Sequence, residues 1–331
     1  MWPVAILAPV GWVFAVGWSW RALAGRRGWL GAWPAVIICV AMPFALPTTW
    51  TPVRIVFAAL AVAGAAKSWM AAHGGPRDPA MAAGPFRFAL WFLVPPESTW
   101  PATEAAAVAV RSRGLRRGGR GLVKLPPAAA LYFLGAMVPE VHANRFVEGF
   151  WALWFCWLAL SALADLVTAA FMIAAGVDFD EVFDTPPKAR SPRDFWGNRW
   201  NLFVHHFASR YLFLPLGGRH RPALATAGVF ACSGAMHEYF VLACLGRPSV
   251  YAGTMMAFFA LQGAAVLGEM ALRRRRRAAS LPRSVAVALH LAWLTLTAPL
   301  FFAPLAEVFA GWSAAARSAL GSVEHTTHLL Q

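Results

Sequence analysis

The chain has 331 residues, 59% of them hydrophobic and 13% charged, with a mean hydropathy of +0.54. Soluble domains carry roughly 25% charged residues, so the two water-covered domains usual for a soluble chain of this length are excluded. The net charge of +14 lies in clusters between apolar runs, which points to orientation in a membrane and not to a nucleic-acid partner. In chain order, runs able to cross a hydrocarbon core of about 30 Å fall near 4–20, 29–46, 53–72, 125–141, 146–175, 222–245, 250–272 and 284–310. The expected fold is all-α: a polytopic integral membrane protein with about eight transmembrane helices, in one embedded domain over 1–331. The run 146–175 exceeds an upright span and should tilt or extend beyond the bilayer. Two shorter runs, 86–94 and 202–216, read as re-entrant or interfacial segments. The first run has no basic residue before it, and Arg21, Arg26 and Arg27 follow it. It therefore reads as a retained span and not as a cleaved leader.

Placing the segment 21–28 in the cytoplasm puts 24 of the 29 Lys and Arg on the cytoplasmic side and 3 on the other. That asymmetry sets both termini outside and the loop 178–201 inside. The five arginines Arg273 to Arg277 read first as a topology anchor beside a span. Cys39, Cys156, Cys232 and Cys244 all lie in apolar runs without a CxxC spacing. They suggest inert packing, with neither a disulfide framework nor a metal site.

The most polar stretch beside the membrane is 178–201, DFDEVFDTPPKARSPRDFWGNRWN. Pro186, Pro187 and Pro192 break any helix there, and the stretch gives way to the incomplete run 202–216. Non-helical backbone at membrane depth persists only beside protein or a water-filled cavity, so a cavity open to the cytoplasm is expected. The next span carries ACSGAMHEYF, with His237 and Glu238 deep in an apolar helix. Ionisable groups at that depth normally face a cavity or a partner; a histidine that glues helices together is the structural alternative. A HExxH zinc site is excluded because position 241 is Val.

DFWGNRWN followed by a buried HEYF resembles the membrane-bound O-acyltransferase (MBOAT) superfamily, and within it the wax synthase-like branch. The resemblance covers roughly 191–240 and includes RYLFLPLGG at 210–218. It implies transfer of a fatty acyl group from an acyl thioester, acyl-CoA in the first instance, to the hydroxyl of a lipophilic alcohol. It places the catalytic pair at Asn201 and His237. His237 would act as general base, and the Asn201 amide would donate to the oxyanion or orient the acceptor. No GxSxG nucleophile motif is present, so direct transfer is expected over an acyl-enzyme. No cofactor or metal is expected beyond acyl-CoA as co-substrate.

Lys188, Arg190, Arg193 and Arg199 serve topology and could also pair with donor phosphates. Asp194 could cap a helix start or position Arg199. Trp196 and Trp200 read first as interfacial anchors. With Arg193, Asp194, Arg199 and Glu238 they complete the candidate substrate-binding set. Ser161, Asp165 and Thr168 share one helical face and read as a structural stripe. His205 follows Asn201 by four residues and is a secondary candidate, His206 reads as interfacial or lipid-facing, and His290 has no assigned role. Glu269 lies a turn from the arginine run and can snorkel. The competing class is a transporter or lipid-handling protein with Asp165 and His237 as a proton relay, but no repeated halves are visible.

Overall fold

In lipid, every backbone polar group must be satisfied within the protein, and the apolar runs meet that demand as helices. The structure is a computed structural model that describes residues 7–24, 28–274 and 281–328. Its helices are α1 (Leu7–Ala24), α2 (Gly28–Ala41), α3 (Thr51–Ala72), α4 (Pro85–Leu93), α5 (Glu104–Met137), α6 (Glu140–Ala143), α7 (Arg145–Ala175), α8 (Pro192–Asn198), α9 (Leu202–Ala208), α10 (Pro222–Leu245), α11 (Thr254–Arg274) and α12 (Arg283–His328). Two-residue strands β1 (Ser98–Thr99) and β2 (Asp178–Phe179) pair antiparallel, with Ser98 opposite Phe179.

The all-α, polytopic expectation holds. Among the described residues, α3, α7, α10, α11 and the Arg283–Ala310 part of α12 are long and apolar enough to cross a bilayer. The runs expected at 4–20, 29–46 and 125–141 fall on α1, α2 and the second half of α5, which lie outside that standard of length and hydropathy. The short runs became α4 and α9, the latter continued by a π-turn at Ser209–Phe213.

Several boundaries moved. The run at 125–141 is only the end of α5, which starts at Glu104 with the Thr103 hydroxyl accepting from the Ala106 N–H at 3.2 Å. Hydropathy missed the first half because its arginines mask an amphipathic helix. The run at 250–272 starts as a helix only at Thr254, since Gly253 takes φ +89° in the preceding turn. Pro192 opens α8 instead of breaking it: at the first helical position a missing N–H costs nothing. Cys39 and Cys244 are buried as expected, but Cys232 is exposed; all four are free thiols. Arg275 to Arg277 of the basic run lie outside the described residues.

The chain divides into two compact units. The first comprises Met1–Gly75, Ser233–Met256 and Phe301–Gln331. Here Arg54, 1% exposed, caps the C-terminal end of α10: its Nε donates to the Cys244 carbonyl at 3.1 Å and its Nη2 to the Ala243 carbonyl at 2.7 Å. The α10 face bearing Val241 and Cys244 packs against Ala58, Met255 and Val308.

The second unit comprises Pro76–Cys232 and Ala257–Leu300. Its frame is the pair α5 and α7. Small residues let the two backbones approach: a Cβ on Gly114 would meet Met172 Cβ at 2.8 Å, and one on Gly121 would meet Leu166 at 2.9 Å. The Ser161, Asp165 and Thr168 stripe is buried on this side of α7, as expected.

Candidate active site

In the second unit, the polar stretch 178–201 folds back on itself by backbone bonding. The Asp184 N–H donates to the Arg199 carbonyl and the Leu202 N–H to the Val182 carbonyl, both at 2.9 Å. Asn201 lies between those bonds. Its backbone is left-handed, φ +46°, a region that Asn tolerates better than other residues with a Cβ. Its side-chain oxygen caps α9 by accepting from the Val204 N–H at 3.4 Å. With the oxygen turned to the helix, the amide NH2 is the face left to act as donor. His205, one turn on in α9, is half-buried, and His206 is exposed.

The preceding turn holds the basic residues. Ser191 caps α8, its hydroxyl accepting from the Asp194 N–H at 3.2 Å. Asp194 is therefore free for the other role foreseen for it. Its carboxylate accepts from Arg199 Nε at 2.9 Å and from the Arg190 N–H at 3.0 Å. Burial raises the Asp194 carboxyl, but these hydrogen bonds outweigh it and hold the group below its usual range. Around this pair opens a cavity of about 480 Å³ lined by Arg190, Arg193, Arg199 and Arg273, with Asp194, Ser191, Asn198 and Glu269. Glu269, read from sequence as a snorkelling residue, ties the wall together: it accepts from the Arg193 N–H at 3.1 Å and from Arg273 Nε at 2.9 Å.

Trp196 and Trp200, both half-buried, pack against other aromatic rings of the second unit. Trp196 packs among Phe195, Phe230, Phe258 and Phe259, and Trp200 stacks on Phe195 with ring centroids 5.4 Å apart. Neither lines the cavity. Aromatic content alone cannot distinguish an interfacial ring from a packed one; the signal that could have is Gln262. This fully buried amide accepts from Trp196 Nε1 at 3.4 Å and Trp293 Nε1 at 3.1 Å, and donates to Thr297 Oγ1 at 2.9 Å. Gln262→Leu leaves two indole donors unmet at about 1–3 kcal/mol each. The melting temperature of the purified protein should fall by several degrees, and an unchanged value would remove Gln262 from this role. His290 is 3% exposed, with its ring 5.3 Å from Phe195.

His237 belongs to the first unit. It lies in the interior of α10, half-buried, with Nδ1 2.7 Å from the Ser233 carbonyl and its ring set edge-on to Phe301. A carbonyl can only accept, so Nδ1 carries the hydrogen, and in the neutral ring Nε2 carries the lone pair. The backbone thus selects the tautomer a base needs. The neighbours in HEYF have structural tasks. Glu238 Oε1 accepts from the Met255 and Met256 N–H groups at 3.0 and 3.2 Å, capping α11, and Tyr239 donates to the Val40 carbonyl at 2.9 Å. Glu238, a substrate-binding candidate from the sequence, has its Oε1 placed at the start of α11, just after the Gly253 turn. Among the described residues, no three His, Cys, Asp or Glu side chains gather as a metal ion would need.

Residues 179–261, which include Asn201 and His237, match the membrane bound O-acyl transferase family. The chain is 31% identical over 158 residues to acyl-CoA–sterol O-acyltransferase 1 of Arabidopsis thaliana, covering 45% of each protein. It is 30% identical over 161 residues to the probable long-chain-alcohol O-fatty-acyltransferase 3 of the same plant, covering 45% of this chain and 46% of that one. With the long-chain-alcohol O-fatty-acyltransferase of Simmondsia chinensis it shares 31% over 139 residues, 39% of each. The matched stretch spans just under half the length of these relatives. These matches fall on the segment that carries both motifs, and over that segment the chain is similar to the membrane bound O-acyl transferase family and to sterol and long-chain-alcohol O-acyltransferases.

Proposed function

We propose that the protein is an O-acyltransferase that moves a fatty acyl group from acyl-CoA to the hydroxyl of a lipophilic alcohol, with no further cofactor. The observation that carries this reading is the family-matched segment holding a tautomer-fixed His237 and a left-handed Asn201. His237 Nε2 takes the proton of the acceptor hydroxyl as its oxygen bonds to the thioester carbon. The Asn201 NH2 donates to the developing oxyanion. As the intermediate collapses, the C–S bond breaks and the proton passes to the departing CoA sulfur, giving ester and free CoA. Direct transfer is preferred because no serine nucleophile motif stands in the sequence. The acceptor reaches the site through the bilayer, in which the exposed apolar faces of the helices sit. Long-chain alcohols and sterols are the two acceptor classes named among the relatives.

The arginine-lined cavity fits the anionic phosphates of CoA, entering from the cytoplasmic side of an inner or ER-like membrane. Arg199 is committed to Asp194, so Arg190 and Arg193 are the residues to test. Charge-assisted hydrogen bonds contribute about 1.5–3 kcal/mol each. Arg190→Gln with Arg193→Gln should therefore raise the acyl-CoA KM roughly tenfold or more and leave the alcohol KM alone. An unchanged donor KM in folded protein would return these residues to topology alone. Orientation has its own check. In a cysteine-free background, Lys188→Cys and Ser322→Cys should be labelled from opposite sides, and labelling from one side refutes the arrangement.

A proton-relay transporter is disfavoured. Asp165 is 5% exposed and held by both nitrogens of an Arg120 fork at 2.9 and 2.6 Å and by Lys124 at 2.6 Å. A carboxylate held by two cations is a poor site for taking up and releasing protons.

A further inference from the structure

The acidic residues of DFDE, just ahead of the family motif, each meet an arginine from elsewhere in the second unit. Asp178 pairs with Arg113 at 2.7 Å and Asp180 with Arg77 at 2.9 Å. Glu181 pairs with both Arg117 and Arg120 at 2.7 Å. The last pair leads into the interior. Arg117 is 9% exposed and also donates to the Phe179 carbonyl at 3.0 Å. Arg120 uses the same Nη2 for Glu181 and for Asp165 of α7.

The residue after Glu181 completes the path. The Val182 carbonyl accepts from the Leu202 N–H, and the Asp184 N–H donates to the Arg199 carbonyl. Asn201 is thus suspended between two backbone bonds to 182–184, and that strip is pinned by Glu181 to Arg117 and Arg120 of α5, the latter in turn bonded to Asp165 of α7. Asn201 at φ +46° sits in a backbone region that residues other than glycine populate sparsely, and residues in such regions persist where their surroundings over-determine them.

We propose that Glu181, Arg120 and Asp165 form a positioning clamp for Asn201. This inference rests on the reading of Asn201 as an amide donor in acyl transfer. None of the three touches substrate; they fix the turn from which Asn201 presents its NH2. The arginines of α5, counted in the sequence as topology signals, are on this reading the anchors of the active-site strip. Small misplacements of a catalytic group cost on the order of 10²-fold in rate, so loosening the strip should appear in turnover before it appears in stability.

The test uses the full-length protein in nanodiscs with oleoyl-CoA and a long-chain alcohol. Glu181→Gln should lower kcat roughly 10- to 100-fold. The donor KM should stay unchanged and the melting temperature should fall only modestly: Glu181 and Arg120 are half-exposed, and the buried Arg117 keeps its bond to the Phe179 carbonyl. Glu181→Asp, which keeps the charge, should recover part of the loss. Arg120→Lys should lower kcat in the same direction: it keeps a cation beside Asp165 but loses the bridging fork. This second variant serves if Glu181→Gln folds poorly. In an Asn201→Gly background, Glu181→Gln should cost nothing further, because its effect passes through Asn201. Wild-type kcat in both folded clamp variants, or a loss that multiplies in the Asn201→Gly background, overturns the clamp. If Asn201→Gly alone turns over at the wild-type rate, the role of Asn201 fails and the clamp falls with it. If Asn201→Gly is impaired and the clamp variants are not, the clamp alone is wrong.

Discussion

His237→Ala should lower acyl transfer by 10²–10⁴-fold, the usual worth of a general base, or about 3–5.5 kcal/mol of transition-state stabilisation. The loss should fall on kcat, because the proton moves in the transition state and the ring contributes little to holding CoA. Folding should largely survive. The side chain is half-buried, its Nδ1 bonds the Ser233 carbonyl of its own helix, and the C-terminal end of that helix is secured by Arg54. A helix-gluing histidine gives the opposite pattern: reduced yield and melting temperature, with normal specific activity in what remains folded. Measuring kcat beside the melting temperature separates the two. His237→Gln adds a control: it can keep a polar contact but cannot serve as a base, so it too should be inactive.

Asn201→Ala should cost on the order of 10²–10³-fold, the effect of removing one oxyanion donor. Part of any loss in this variant is structural. Alanine removes the α9 cap, worth about 0.5–2 kcal/mol, and tolerates φ +46° poorly. Two further variants remove that ambiguity. Asn201→Gly keeps the backbone conformation and deletes the amide. Asn201→Asp keeps an oxygen for the cap and replaces the NH2 donor with a carboxylate. Both should fold, and both should be as slow as Asn201→Ala. Full activity in Asn201→Asp would show that only the cap matters. The proposed reaction has His237 and Asn201 serve one chemical step, so pairing Asn201→Gly with His237→Ala should be little worse than His237→Ala alone.

What could be read in advance follows from which forces act locally. The long helices were legible because apolar runs in lipid have few other options. His237 was legible because an ionisable group stands out in an apolar helix, and the Asp165 stripe because Ser161, Asp165 and Thr168 repeat at helical spacing. The start of α5 was not, since its arginines looked like a loop to a hydropathy count although they face partners and solvent around a glycine-rich contact with α7. The pairing of DFDE with Arg77, Arg113, Arg117 and Arg120 joins residues far apart in sequence, and charge counting treats every arginine alike. Gln262 and Glu269 were missed or misread for a related reason. Their meaning lies in what they bridge, the indoles of Trp196 and Trp293 in one case and Arg193 with Arg273 in the other. The packing of Trp196 was not legible because an aromatic ring near a membrane boundary can anchor or pack with equal chemical ease.

The most direct measurement is alcohol-dependent turnover by the purified wild-type protein in nanodiscs. Acyl-CoA carrying a labelled acyl chain would be supplied with a long-chain alcohol, and a sterol in a parallel reaction. Free CoA and labelled ester should appear in equal amounts with at least one acceptor, and omission of the acceptor should stop both. Folded protein that binds acyl-CoA yet releases no CoA and forms no ester with either acceptor class would contradict the proposed reaction.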